Sequence, residues 1–401
     1  MSPLSPAIHL GAERILLIAL DPPAHSAPTF RHGHLTSSNI ASHLLDTVFT
    51  DTLNSDLERL WRINQTLDLI PERERRRLKL KRVETCVLKP SEESPLNAML
   101  FAEFCHDAGI PPGVFNLVNG DGPGVGSVLS AHPDVEMISF TGSTRAGKAI
   151  SKAAAETLKR VTLELGGKGA NLIFADADDR AVERGVRHCF NNSGQSCNAP
   201  TRMLVERPVY DRAVEIAKQV AAATRVASAH EPGRHIGPVV NKRQWDQIQG
   251  YIQKGIDEGA RLVAGGPGLP EGFNRGFYVK PTVFADVKPG MTIEKEEIFG
   301  PVLSIIPFDT EAEAVQIAND TPYGLSNYVQ SQDGARRNRL ARQLRAGMVE
   351  MNGKSRSAGS PFGGVKASGR AREGGIWGIE EFLEAKAISG WDPDAEGVAA
   401  E

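Results

Sequence analysis

No apolar run in this 401-residue chain approaches the roughly 18–20 residues that span a bilayer. RILLIAL, residues 14–20, is short and lacks a clear basic region before it, so it reads as a strand rather than a secretion signal. An excess of one charge is also missing. With 46 Lys and Arg against 49 Asp and Glu, the net charge of −3 gives no global field toward nucleic acid or an acidic membrane. The one basic run, PERERRRLKLKR at residues 71–82, has no aromatic platform beside it. It reads as a solvated helix or a disordered segment before it reads as a nucleic-acid patch. Cysteine is scarce: Cys86, Cys105, Cys189 and Cys197 form no CxxC pair and no cysteine–histidine set with zinc spacing, so no metal is expected. Cys105 and His106 are adjacent in a helical stretch, where neighbouring side chains diverge. Cys86, Cys105 and Cys189 read as reduced cysteines of a cytoplasmic protein. There is no internal repeat.

What is present is the composition of an ordinary soluble globular protein, 40% hydrophobic and 24% charged. Its length predicts two or three domains, and its 40 Gly and 25 Pro suggest many tight turns of the kind an α/β fold needs. From about residue 85, ETCVLKP, GVFNLVNG, VEMISFTG and RVTLELGG read as strands. SPLNAMLFAEFCHDAG, GVGSVLSAH and TRAGKAISKAAAETL read as the helices between them. This alternation predicts a doubly wound parallel sheet. It resumes after Cys197, with strands at TRMLVER, ARLVAGG and YVKPTVFADV. Helices follow at VYDRAVEIAKQVAAAT, NKRQWDQIQGYIQKGIDEGA, EAEAVQIAND and GARRNRLARQLRAG. Two α/β units therefore meet near residue 165, and the first 85 residues do not fit the order.

Several segments can carry chemistry, each with a plainer reading beside it. NNSGQSCNAPTR, residues 191–202, sets Cys197 among small and polar residues, as a stray loop thiol or as an accessible nucleophile. In FTGSTRAGK, Gly142 and Ser143 sit between a strand and a helix. They would let backbone N–H groups and the helix dipole receive a pyrophosphate, or form an ordinary turn; the segment is neither GxGxxG nor a P-loop. Lys89 and Glu92 in VLKPSEESP stand at a strand end, where they could grip ribose hydroxyls, with Glu92 repelling a 2′-phosphate, or merely start a helix. Glu164 in LELGGKGAN ends a strand before two glycines, either as a partly buried general base or as a solvated acid. In EEIFGPVL, Glu297 could bind a second ribose and Phe299 pack on a flat ring, or they could be a turn acid and a core aromatic.

The order of these segments is more informative than any one of them. Lys89-Pro-Ser-Glu92, FTGST, ELGGK, GQSC, EEIFGP and PFGGVKASG, with REGG-x-x-GIEEFLE after them, resemble the NAD(P)-dependent aldehyde dehydrogenase family over about residues 85–390. The resemblance implies an α/β fold, aldehyde dehydrogenase-like, with two doubly wound parallel-sheet α/β domains plus a small oligomerisation element. It divides the chain into an atypical region 1–84, the remaining cofactor-binding part 85–165, a catalytic domain 166–352, and a return segment with an oligomerisation strand at 353–401.

The resemblance also implies roles. Cys197 would be the nucleophile that attacks the aldehyde and passes through a thiohemiacetal and a thioester. Glu164 would activate water and deprotonate Cys197 through a water, and its presence speaks against the CoA-acylating branch. Lys89 and Glu92 would hold the adenosine ribose, Gly142 and Ser143 the pyrophosphate, and Glu297 the nicotinamide ribose, with Phe299 against the ring. The cofactor would be NAD, with NADP less favoured. The partner would be a small-molecule aldehyde, with no nucleic acid and no membrane, in a homodimer or homotetramer.

One departure bears on activity. The family carries an asparagine, in a segment like P-W-N-F/W-P, that donates to the oxyanion. Here the closest match is ERLWRINQ, where Trp61 aligns, Arg62 takes the asparagine's place, and Asn64 is a fallback two residues out of register. TLDLIPERERRRLKLKRVET stands where the family has an Ala- and Gly-rich helix. Two rivals follow. One is a catalytically silent homologue that acts as an assembly partner. The other is a cofactor-free thioesterase or esterase using Cys197 and Glu164.

Overall fold

The computed structural model describes residues 86–110, 114–385, 387, 389 and 390. RILLIAL, Trp61, Arg62, Asn64 and the basic run lie outside them. The described residues fall into two compact units: those of 86–135, 357–361 and 372–390 in one, and 136–356 with 362–371 in the other.

In the first unit, β1 (Cys86–Leu88) and β2 (Phe115–Leu117) pair in parallel and flank α1 (Leu96–Asp107). α1 stops where its sequence predicts. Ala108 N–H donates back to the Phe104 carbonyl, and Gly109 follows at φ +77°, a conformation glycine enters without a Cβ clash. A π-helical turn over Gly122–Gly126 leads into the short α2 (Ser127–Ala131).

The second unit begins with a parallel pair, β3 (Met137–Thr141) and β4 (Arg160–Glu164), joined by α3 (Thr144–Ala155). The chain continues through β5 (Ala170–Ile173), α4 (Ala181–Phe190), β6 (Arg202–Glu206), α5 (Tyr210–Ala223), α6 (Lys242–Asp257), β7 (Arg261–Ala264) and β8 (Thr282–Ala285). It ends with α7 (Thr292–Lys295), β9 (Val302–Phe308), α8 (Glu311–Asn319), β10 (Ser326–Gln330), α9 (Gly334–Gln343) and β11 (Met348–Met351). The sheet order is β11-β10-β5-β6-β9-β8-β7, parallel throughout except where β7 meets β8.

Strand period two builds both faces of this sheet. Leu172, Leu204, Phe284, Val302 and Ile306 point to one side, where Ile248 and Ile252 of α6 and Leu340 of α9 cover them. Their neighbours Ile173, Met203, Val205, Val283, Leu303 and Ile305 point to the other, against Val186 and Phe190 of α4 and Val214 and Ala217 of α5. Burial on both faces explains why these strands read as apolar runs rather than as alternations.

Four expected helices begin at polar caps. The side chains of Ser143, Asn241, Thr310 and Asp333 accept the N–H of Ala146, Gln244, Glu313 and Ala335 respectively. The expected strand YVKPTVFADV is shorter than its apolar pattern: β8 starts at Thr282, directly after Pro281, whose nitrogen cannot donate to a ladder. Sequence periodicity did not mark β5, α4, β9, β10 or β11 as elements.

Candidate active site

The site grows from the end of β4. Thr141 of β3 lies beside Glu164 in the ladder, and Gly142 N–H donates to the Glu164 carbonyl at 3.0 Å. The Glu164 side chain is buried, 4% exposed, rather than a solvated loop acid. Beyond it the chain needs its glycines. A Cβ on Gly166 would sit 2.1 Å from Glu297 Oε2, and one on Gly167 would sit 2.2 Å from the Cys197 carbonyl oxygen. The turn therefore threads between the Glu297 carboxylate and the Cys197 backbone. Ser368, in the segment PFGGVKASG, fastens it: its hydroxyl donates to Gly166 O at 2.6 Å and its carbonyl accepts Leu165 N–H at 2.9 Å.

Glu297 is held from the same turn. Gly167 N–H donates to its Oε1 at 2.9 Å. Burial pushes its carboxyl above the usual range, while this N–H and the nearby Lys168 pull it back. Phe299 follows at φ +54°, a left-handed conformation that costs an aromatic residue about 1–3 kcal/mol. Gln244 of α6 stabilises it by donating to the carbonyls of Ile298 and Phe299 at 3.1 and 2.9 Å.

Cys197 lies seven residues beyond α4, after a run of three left-handed residues: Asn192 (φ 49°), Ser193 (φ 55°) and Gly194 (φ 73°). A side chain at Gly194 would collide with the Gly300 carbonyl, 2.1 Å away, so the Cys197 loop packs backbone to backbone on the turn after Phe299. Ser193 donates to Gly237 O at 2.8 Å, and Gln195 accepts Val240 N–H at 2.8 Å. The thiol is partly buried. Burial pushes it up to about 11, with further upward pressure from the charges of Glu297 and Glu164; hydrogen bonds from the N–H groups of Cys197 and Asn198 act the other way. Cys197, Glu164 and Glu297 thus share one electrostatic neighbourhood.

Gly142 and Ser143 stand at the start of α3, at the positive end of its dipole. Gly142 has already committed its N–H to Glu164, and a Cβ there would strike the Phe140 ring at 2.5 Å. In the first unit, Lys89 Nζ donates to Pro90 O at 2.5 Å and lies 3.5 Å from Glu92 Oε2. The Lys89 stem passes 3.8 Å from the Cβ position of Gly126. Among the described residues no three or more His, Cys, Asp or Glu gather as metal ligands, and no helix is long and apolar enough to cross a membrane.

Sequence reasoning missed two supports of this site. Arg202, fully buried in β6, donates to the Lys168, Ile317 and Ala318 carbonyls and to Glu294, the ion pair closing at 3.0 Å. An arginine inside the apolar run TRMLVER was the available signal, because a buried arginine needs partners. Lys168 is also buried, 2% exposed, and burial first, then the Arg202 charge, pushes it down to about 8.

The thiol raised by burial beside two carboxylates gives a pH prediction. In the chain without cofactor, alkylation of Cys197 by iodoacetamide is expected to rise about tenfold per pH unit between about pH 7 and 10, following the thiolate fraction. Glu164→Gln removes one repelling charge and should accelerate alkylation at fixed pH. A slower variant, measured by mass spectrometry of the Cys197 peptide, would refute this assignment of sign.

The aldehyde dehydrogenase family model matches residues 84–388. A 3-succinoylsemialdehyde-pyridine dehydrogenase from a Pseudomonas species is 51% identical over 309 residues, which are 77% of this chain and 65% of that protein. The chain thus spans about 65% of the length of that curated relative. A crystal structure of aldehyde dehydrogenase from Bartonella henselae is 69% identical, with a TM-score of 0.76 over 77% of this chain and 64% of that one. A cysteine-to-alanine variant of aldehyde dehydrogenase C from Pseudomonas syringae, solved with NAD+ and octanal, is 52% identical; its TM-score is 0.76 over 78% and 64% of the two chains. With the family model covering most of its length and the neighbours sharing its fold, the chain belongs to the aldehyde dehydrogenase family.

Proposed function

We propose that this chain oxidises an aldehyde to a carboxylic acid with NAD, using Cys197 as the nucleophile. The observation that carries the reading is the convergence of Cys197, Glu164 and Glu297 around the Gly166–Gly167 turn. The residues suit a dinucleotide. Glu297 is oriented by Gly167 N–H to accept ribose hydroxyls, Phe299 follows it, and the N-terminal end of α3 at Ser143 favours a phosphate charge. Gly142 would serve through its missing side chain, since its N–H is already used. On the first unit, Lys89 and Glu92 would hold the adenosine ribose, and the Glu92 charge disfavours the extra phosphate of NADP.

In this mechanism the Cys197 thiolate adds to the carbonyl carbon, and the carbonyl electrons move to oxygen. The backbone N–H of Cys197 would receive that oxyanion. NAD, when bound, would supply the hydride acceptor. Once hydride has left the carbon, Cys197 carries the acyl group as a thioester. Glu164 then takes a proton from water as the water attacks, and collapse of that adduct expels the Cys197 sulfur and releases the acid. The cofactor part would run over 85–165 and the chemistry over 166–352, a division that cuts the second compact unit between β4 and β5. The C-terminal segment from 353 would serve assembly as a homodimer or homotetramer, in the cytoplasm.

A second reading, a silent homologue, is favoured by Arg62 at the place of the oxyanion asparagine, since losing one such donor lowers rate about 100- to 1,000-fold. Two measurements decide. Calorimetry should find saturable NAD binding that Glu297→Ala weakens about tenfold or more, corresponding to loss of a charge-assisted hydrogen bond. NADH formation with a panel of aldehydes should then separate an active chain from a silent one. No NAD binding by the parent chain would refute the dehydrogenase reading.

A further inference from the structure

Next to the nucleophile, β10 ends its polar face on the backbone of residue 198. Tyr328 Oη donates to the Asn198 carbonyl at 2.6 Å, and Ser326 Oγ donates to the same oxygen at 3.1 Å. The two hydroxyls lie 3.3 Å apart. Both side chains are buried, 4% and 2% exposed. From the other side, Ser196 Oγ donates to Asn198 Oδ1 at 3.0 Å, and Ala199 N–H closes a turn on the Ser196 carbonyl at 3.1 Å. The turn that carries Cys197 is thus gripped at one carbonyl by two hydroxyls of a central strand. Its N–H groups at Cys197 and Asn198 act on the thiol in the direction that favours the thiolate.

We infer that Tyr328, seconded by Ser326, is a positioning residue for Cys197: pinning the Asn198 carbonyl fixes the turn whose N–H groups stabilise the thiolate. The inference rests on the reading of Cys197 as the nucleophile. Two features support a dedicated tyrosine here. The His188 ring packs edge-on against it at 5.0 Å and 79°. Burial, more than any neighbouring charge, holds the phenol above its ordinary range, so it stays a proton donor throughout the working pH of an enzyme. The ionisable groups facing the sulfur are Glu164 from β4, Glu297 and Tyr328; those facing Tyr328 are His188 of α4, Glu350 of β11 and Arg356.

The test uses the full chain and iodoacetamide, with alkylation followed peptide by peptide across pH. Tyr328→Phe keeps the ring and its packing on His188. It is expected to slow Cys197 alkylation about 3- to 30-fold at neutral pH and to move the midpoint of its profile upward, with NAD binding unchanged. Ser326→Ala should give a smaller decrease. The double variant leaves the Asn198 carbonyl without either donor, so its loss should exceed the product of the two single effects. Cys86 and Cys105, in the other unit, serve as controls whose rates stay constant, which separates repositioning from general loosening. A Cys197 profile in Tyr328→Phe that superposes on the parent overturns the inference, as does a Ser326→Ala and double-variant series without coupling. Aldehyde turnover is not part of this readout. A parent that alkylates at Cys197 yet oxidises no aldehyde would remove the dehydrogenase reading alone, and the comparison of profiles would still decide the role of Tyr328.

Discussion

Replacing Cys197 by alanine is expected to lower aldehyde-dependent NADH formation by about 10⁴-fold or more, while NAD binding remains as in the parent. The size follows from what the sulfur does: without it no covalent adduct forms, and removing the nucleophile of a covalent catalyst costs up to about 10⁶ in rate. The fold should survive, because the side chain is small and only partly buried. The measured quantity is initial rate against aldehyde concentration, with calorimetry of NAD as the control. Residual turnover within tenfold of the parent would mean that hydride leaves a free aldehyde hydrate, and the thioester would have to be abandoned. The resting thiol sharpens the expectation. With its proton affinity pushed up to about 11, only ~10⁻⁴ of the chain is thiolate at pH 7, so a working enzyme must take that proton. In the proposed mechanism Glu164, whose charge bears on the sulfur, would receive it through water and pass it to solvent before the thioester is hydrolysed.

The second large effect is on stability. Arg202→Met is expected to destabilise the chain by about 3–5 kcal/mol, a sizeable part of the 5–15 kcal/mol that holds an ordinary domain together. The fork of Arg202 donates to three carbonyls, from Lys168, Ile317 and Ala318, and to Glu294, in a place with no solvent exposure. Methionine fills most of the volume but leaves a buried carboxylate facing no guanidinium. Glu294 keeps only Gly290 N–H at 3.1 Å and Lys295 at 3.5 Å. Because Arg202 joins β6 to α8 and to the loop that carries Lys168, the damage should reach the site as well. Denaturant titration of parent and variant measures it. A midpoint unchanged within about 0.5 kcal/mol would mean that the ion pair is replaceable by packing alone, as some buried pairs are.

The fold was legible in the sequence where local rules agree with tertiary ones. α1, α3, α6, α8 and α9 carry both helical periodicity and a cap or a stop, and each appears near its expected bounds. β5 and β9 carry no alternation, because neighbours bury both of their faces, and a short continuous apolar run does not distinguish strand from helix. β10 was harder still: SNYVQ is polar at four of its five positions yet wholly buried, its side chains spent on fastening other backbone. Within the candidate site, Cys197, Glu164 and Glu297, which share one electrostatic neighbourhood, were singled out through motif order. Tyr328, Ser326 and Arg202 were not, because a hydroxyl that grips a carbonyl 130 residues away leaves no local spacing to read.

The three left-handed residues before Cys197 have a thermodynamic consequence. Asn192, Ser193 and Gly194 adopt their uncommon backbone angles when the chain folds, with Gly194 wedged on Gly300 and Ser193 tied to Gly237. The entropy of ordering the Cys197 loop is therefore lost on folding and not on substrate binding. An arriving aldehyde has no loop to organise, so its association should carry little of the unfavourable entropy that accompanies induced ordering. The same loop would then be the first place where a global loss of stability, however remote its origin, is felt as a loss of turnover.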